Sequence, residues 1–331
     1  MYRISRMTCP SLSREQIHDL REMAEMTKLM DLAMAENKSK VMTAARLNLA
    51  EYEALKHGVI QIILPPPIFS TNLCMGSSAY CTPRSTGIKG LDKLLDGGLC
   101  GSEILELYGD IGTGKTQMCF TISSQILKSE DTVAYFDLKS NFSATRLLQC
   151  CGGGPEARER LRNIKVIRPC NLVQVVEDVE EIRCKIAHRK DDFWARLKLI
   201  IFDSVPMIIY PVIDESVASW RHYQERIIES ILKLFKLNDG IAVIFVNHSV
   251  TQRSYGLSTK SLFRGIVDQR NFTTKAALGS SYWGHKPNFR LLLLKNPKIQ
   301  GEYSATLRKS ARTKCGQQFS YAIETLGIKS F

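Results

Sequence analysis

The spacing of apolar positions changes character once along this chain. From residue 11 to 64 apolar residues recur three and four apart: Ile17, Leu20, Met23 and Ala24, then Leu29, Met30, Leu32 and Ala33. Alanine and leucine continue at helical spacings over Lys40 to Leu49 and Glu51 to Leu64. That period predicts short amphipathic helices packed as a small all-helical domain, residues 1–64. Ser13 with Gln16 three residues on predicts a capping box, in which each side chain takes a backbone N–H that the helix start leaves unpaired. Pro65-Pro66-Pro67 stops the pattern, because proline removes a donor and clashes in a helix interior. Residues 65–82, rich in Pro, Ser and Gly, read as an extended linker.

From residue 83 to 331 short apolar runs alternate with helical stripes. The runs are Glu103 to Tyr108, Thr132 to Asp137, Ile164 to Arg168, Leu197 to Phe202 and Ile241 to Val246. The stripes are Gln117 to Lys128, Ala144 to Cys150, Leu172 to His188 and Trp220 to Leu237. This alternation predicts an α/β core with a mostly parallel doubly wound sheet. Arg290 to Leu294, Ala305 to Lys309 and Ser320 to Ile323 add a β-rich end. The most apolar run, Leu197 to Ile213, contains Lys198, Asp203 and two prolines, so it is too short and too polar to span a membrane. The first sixteen residues carry charge without an apolar core, and no secretory leader is expected. Ten cysteines, none in C-x-x-C, predict reduced thiols of a cytosolic or nuclear protein.

One stretch carries the chemistry. Gly109-Asp110-Ile111-Gly112-Thr113-Gly114-Lys115-Thr116 fits the phosphate-binding pattern G-x-x-x-x-G-K-[ST] at every fixed position, between a predicted strand and a predicted helix. Glycines let successive N–H groups approach phosphate oxygens, and the helix start adds a field that favours anions. The pattern predicts a nucleoside triphosphate as ligand, with Lys115 on the β- and γ-phosphates and Thr116 holding Mg²⁺. Asp203, at the end of an apolar strand, predicts the second Mg²⁺ anchor.

Charge adds a partner class. The chain carries a net +12, and Thr251 to Phe331 alone holds 14 Lys/Arg against Asp268, Glu302 and Glu324. Such asymmetry predicts a polyanionic partner, either nucleic acid or an acidic protein. Between residues 249 and 289, Arg253, Lys260, Arg264, Arg270 and Lys275 are interleaved with Tyr255, Phe263, Phe272, Tyr282 and Trp283. Cations that track phosphates beside rings that stack bases suit single-stranded DNA.

The run Ser85-Thr86-Gly87-Ile88, Leu91-Asp92, Gly97-Gly98-Leu99, and the phosphate loop followed by Gln117 resembles the RecA-type recombinases of eukaryotes and archaea. Leu199 to Ser204 and Ile241 to His248 resemble their second motif and their γ-phosphate sensor strand. Ser85 to Leu95, Ala144 to Gln149 and Ala277 to Ser281 are most similar to the recombinase paralogues, the D-type in particular. The resemblance implies a RecA-like P-loop core over residues 83–331 with ATP as its nucleotide. It implies an adenine contact for Arg146, a sensor role for His248, and a DNA-binding loop at 249–289. It also implies partner subunits among related paralogues and the main recombinase, a role in homologous-recombination repair, and a nuclear location.

The departures from that family modify the expectation. Its active members end the strand after the phosphate-loop helix in Asp-Thr-Glu, whose Glu positions the attacking water; here Asp137-Leu138-Lys139 stands there. Lysine offers donors and no acceptor, so weak ATP hydrolysis is expected unless Asp137 serves as base. The sensor reads Asn247-His248 in place of Asn-Gln. The linker reads Phe69-Ser70-Thr71-Asn72 where self-assembling members have Phe-x-x-Ala. The family's first DNA loop would fall at Tyr210 to Ser219, which holds Asp214 and Glu215 and no base. A recombination mediator within a hetero-oligomer is therefore expected, ahead of an active strand-exchange recombinase or a RecA-fold DNA motor.

Overall fold

The computed structural model describes residues 4, 9, 11–35, 37–63, 82–188, 191–213, 217–253, 272–277 and 281–331. Phe69 and Asn72 of the linker, Asp214 and Glu215, and most of the basic 249–289 segment lie outside the described residues. The chain forms two compact units, Met1–Gly76 and Ser77–Phe331.

In the first unit the helices are Arg14–Glu22, Leu29–Ala33, Lys38–Ala45 and Leu49–Ile63. The capping box forms: the Gln16 N–H donates to Ser13 Oγ at 3.1 Å, and the Ser13 N–H donates to Gln16 Oε1 at 2.7 Å. Ile17, Leu20, Leu29, Leu32, Val41, Tyr52 and Leu55 meet in one buried cluster, so the helical stripes do what their period implies.

The second unit is built on one sheet. Its strands are β1 Ile104–Gly109, β2 Thr132–Asp137, β3 Ile164–Ile167, β4 Leu197–Asp203 and β5 Ala242–Arg253, then β6 Phe272–Ala276, β7 Phe289–Lys295, β8 Glu302–Lys309, β9 Gln318–Glu324 and β10 Gly327–Ser330. The order is β10-β9-β8-β7-β1-β5-β4-β2-β3, with β6 antiparallel on the far part of β5. Pairs from β7 through β1, β5, β4 and β2 to β3 are parallel, and β7 to β10 are antiparallel. The expected α/β core, mostly parallel, is thus present with its β-rich end.

Both sheet faces are covered, which explains why the central strands read as unbroken apolar runs. Leu199, Ile201, Ile244 and Val246 pack with Met118 and Ile122 of the helix Lys115–Leu127. Their alternates Ile200, Phe202, Val243 and Phe245 pack with Val175 and Val179 of Leu172–His188 and with Ile228 and Ile231 of Val217–Leu237. Two features differ from the sequence expectation. The segment expected as a first DNA loop is helical on both sides of residues 214–216, because Val205–Ile213 buries Ile208 and Ile209. Strand β10, four residues long, is too short to show a period and forms by pairing back on β9. No helix among the described residues is long and apolar enough to cross a membrane.

Candidate nucleotide site

Parallel pairing brings several strand ends to one edge. Gly109 lies opposite His248, and Asp137 opposite Asp203. The chain leaves β1 at Gly109, turns through Asp110 to Gly114, and enters a helix at Lys115. Gly112 (φ +76°) and Gly114 (φ +85°) take left-handed conformations that side chains rarely adopt, and a Cβ on Gly114 would stand 2.9 Å from Ile323. The loop is braced from two strands. Tyr321 on β9 donates its hydroxyl to Thr113 O at 2.6 Å, and the Ser249 hydroxyl of β5 donates to the Asp110 carboxylate. Thr113 is buried and donates to Asp110 O, whereas Ile111 at the tip is 85% exposed.

Lys115 Nζ donates to Gly109 O and Asp110 O, both at 2.7 Å, so the ammonium lies within the loop's own curve. Burial first, and the charge of Lys139 second, lower its pKa to about 8. Thr116 Oγ1 donates to Asp203 Oδ2 at 2.7 Å, and the Tyr135 hydroxyl donates to the same oxygen at 2.7 Å. Asp203 is 0% exposed. The Lys139 ammonium completes the group: it donates to Thr116 Oγ1 at 3.0 Å and lies 2.8 Å from Asp203 Oδ1. The latter contact is an ion pair outside hydrogen-bond angles, which leaves Oδ1 without an aligned donor.

Asp137, the alternative base, is committed to structure. It accepts from the backbone N–H groups of Asn141 and Phe142 at 3.0 and 3.1 Å and pairs with Arg168 at 3.0 Å. These contacts hold the turn that carries Lys139, and the Leu138 N–H donates to Asp203 O at 2.8 Å. His248 Nε2 lies 3.2 Å from Ser204 Oγ. Burial, then the charges of Lys115 and Lys139, push the imidazole below its ordinary range and favour the neutral ring.

Arg146 and Gln117 stand at one side of a groove shared with Gln149, Ile323, Glu324 and Thr325. Arg146 is bound on every side, with Nε donating to Gln117 Oε1 at 2.6 Å, Nη1 to Thr325 O at 2.6 Å and Nη2 to Glu324 O at 2.6 Å. It ties the helix Ala144–Cys150 to the β9–β10 turn.

The expected DNA-binding residues are not brought together within the described residues. Lys260, Arg264 and Arg270 lie outside them, as does the side chain of Arg253. Lys275 is exposed on β6 opposite Val250. Trp283 corrects the expectation of a base-stacking ring. It is fully buried against Phe245 at 4.7 Å and donates to Glu106 Oε1 at 3.3 Å. Its partner Glu106, itself buried, also pairs with Arg290 and accepts from Asn247 at 2.6 Å.

Sequence reasoning missed Tyr135, Tyr321 and Arg168, which reach the site from strand faces or a neighbouring strand end. The one available signal was the polar tip of two tyrosines in otherwise apolar strands. The residues fit a nucleoside triphosphate, since Gly109, Gly112 and Gly114 present backbone without a Cβ and Lys115 sits at the helix start. They do not fit Mg²⁺ in this arrangement, because the two expected anchors, Thr116 and Asp203, are bonded directly to each other and the Lys139 ammonium lies against both.

A Rad51 family profile matches residues 81–328. The DNA repair protein RAD51 homolog 4 of Mus musculus is 28% identical over 330 residues, covering 97% of this chain and 94% of its own. RAD51 homolog 2 of Homo sapiens is 26% identical over 234 residues, covering 63% of this chain and 59% of its own. The crystal structure of the RadB recombinase matches with a TM-score of 0.56 at 22% identity, over 75% of this chain and 99% of that one, and shows the fold. The strand order and phosphate loop are thus found within a match that spans most of the sequence, and the chain belongs to the Rad51 family.

Proposed function

We propose that this chain is an ATP-binding recombination mediator in homologous-recombination repair of DNA double-strand breaks. It works in the nucleus, on single-stranded DNA, as one subunit of a hetero-oligomer of related paralogues that also engages the main recombinase. The observation that carries the reading is the convergence of Lys115, Thr116 and Asp203 beside a glycine-shaped loop. Family membership supports nucleotide binding, and relatives named as DNA repair proteins support the pathway. Domain limits of 1–64, 65–82 and 83–331 go with this reading.

ATP serves here mainly as a ligand that holds one assembly state. Hydrolysis is slow for a chemical reason. Asp137 is occupied by three donors, and the residue two places on is a lysine, which cannot accept a proton from water while charged. The Lys139 ammonium holds the place beside Thr116 and Asp203 where magnesium would lie.

The test is purification of the native complex from source cells, with its mass and its subunits identified. Co-purification with other Rad51-family subunits, and ATP-enhanced retention on single-stranded DNA, are expected. A closed ring of identical subunits with fast DNA-stimulated hydrolysis would overturn the mediator in favour of a motor.

A further inference from the structure

We propose that the Lys139 ammonium is this protein's built-in cation at the nucleotide site, standing in for a divalent metal, so that ATP binds without Mg²⁺. The inference rests on the nucleotide-binding reading above and deepens it.

A divalent ion in such a site is held beside the phosphate-loop hydroxyl and the terminal carboxylate of the second motif, and it neutralises phosphate oxygens. Here both protein groups already face a cation. Lys139 Nζ is 3.0 Å from Thr116 Oγ1 and 2.8 Å from Asp203 Oδ1, while Thr116 and Asp203 are themselves joined at 2.7 Å. An ammonium at these distances excludes a second cation from the same place, by volume and by charge.

The position of Lys139 is constructed rather than incidental. Its backbone follows β2, whose last residue Asp137 lies in register with Asp203 on β4. Asp137 then holds the turn by accepting from Asn141 and Phe142, and Arg168 holds Asp137. Asp203 is fixed in turn by Tyr135. Anion and cation are therefore both braced from β2, Asp203 through Tyr135 and the Lys139 turn through Asp137. The Lys139 side chain is 19% exposed, so it is not sealed into the core as Asp203 is.

The charge balance points the same way. Lys115, Lys139 and Lys295, whose ammonium reaches Gly112, against Asp203 and Asp110 sum to +1, a local excess that favours a polyphosphate. Bringing in a divalent ion would require moving Lys139 away from Asp203, its buried counter-charge. In solution Mg²⁺ also coordinates ATP, and a site that takes metal-free ATP must strip that ion. The sign of the magnesium effect is consequently inverted: the ion competes with the protein for the nucleotide.

The experiment is calorimetric titration of the purified full chain with ATP, in excess Mg²⁺ and in EDTA. Wild type is expected to bind at least as tightly in EDTA as in Mg²⁺. Lys139→Met is expected to bind about tenfold or more weakly in EDTA, as removal of one charge-assisted hydrogen bond predicts, with Mg²⁺ restoring the affinity. Lys139→Arg, which keeps the charge, retains binding in EDTA. Wild-type binding that is about tenfold weaker in EDTA overturns this inference and leaves the nucleotide reading standing. Absence of ATP binding in both buffers overturns the nucleotide reading itself. The wild-type comparison decides the matter even where a variant fails to fold.

Discussion

Lys139 and Asp203 should be energetically coupled, and a double-mutant cycle measures by how much. Their separation of 2.8 Å gives about 6 kcal/mol of gross attraction at an effective dielectric constant of about 20. Desolvation of a fully buried carboxylate offsets much of it. Removing one member of a buried pair typically costs about 3–5 kcal/mol, because the survivor is left uncompensated. Asp203 retains hydroxyl donors from Thr116 and Tyr135 after Lys139→Met, which places that variant toward about 2–4 kcal/mol. Asp203→Asn leaves Lys115 and Lys139 without their shared counter-charge and should cost a similar amount. In the double variant both penalties lose their cause, so its destabilisation should fall short of the sum by about 2–3 kcal/mol. Urea unfolding of the four proteins, nucleotide-free and in EDTA, followed by far-ultraviolet circular dichroism, gives the numbers. Additivity within about 0.5 kcal/mol would show that the two side chains do not act on each other, and the built-in cation would lose its basis.

Three further outcomes follow from the same geometry. Lys115→Ala should weaken ATP binding by about ten- to a hundredfold, and wild-type affinity should decline as pH rises through about 8, where Lys115 loses its proton; a pH series of titrations on both proteins checks this. His248 is held below its ordinary range in the fold, so the unfolded chain takes up the proton first: stability is full above the ordinary histidine pKa and declines as pH falls through it toward the lower folded value. His248→Asn should flatten that decline in urea melts between pH 7 and 5. Alanine at Lys260, Arg264 and Arg270 together should lower single-stranded DNA affinity and reduce the salt slope by about 0.7 for each phosphate no longer neutralised; an unchanged slope would assign the basic segment to another partner.

Signals that live within a few residues were legible in the sequence. The phosphate loop declares itself through its glycines, Asp203 through the apolar strand before it, and the Ser13–Gln16 box through three-residue spacing that the structure reproduces bond for bond. Contacts set by which strands lie side by side were not legible. Tyr135 reaches Asp203 across 68 positions, and Tyr321 reaches Thr113 across 208, so neither leaves a local trace. Trp283 shows the opposite error. Among basic residues an aromatic ring reads as a stacking surface, yet this one closes the core over Glu106. Lys139 was legible as the wrong charge for a general base, but its contact with Asp203 depends on the register of β2 against β4.

That register makes one substitution change two properties together. A residue two positions beyond β2 lies beside the end of β4 because Asp137 and Asp203 are opposite one another. A carboxylate there would add negative charge next to Asp203, which would call for a divalent ion and offer water an acceptor. A lysine there neutralises Asp203 and offers water none. Loss of a general base and loss of the need for a metal are thus two consequences of one change of sign. Such a site gains affinity for the ground state without gaining turnover. Bound ATP at 100 times its dissociation constant then adds about 2.7 kcal/mol to whichever state binds it. A nucleotide held this way acts as a persistent internal brace between β1, β4 and the turn after β2. In a hetero-oligomer, a subunit of this kind would keep its shape while neighbours with a working base cycle through theirs.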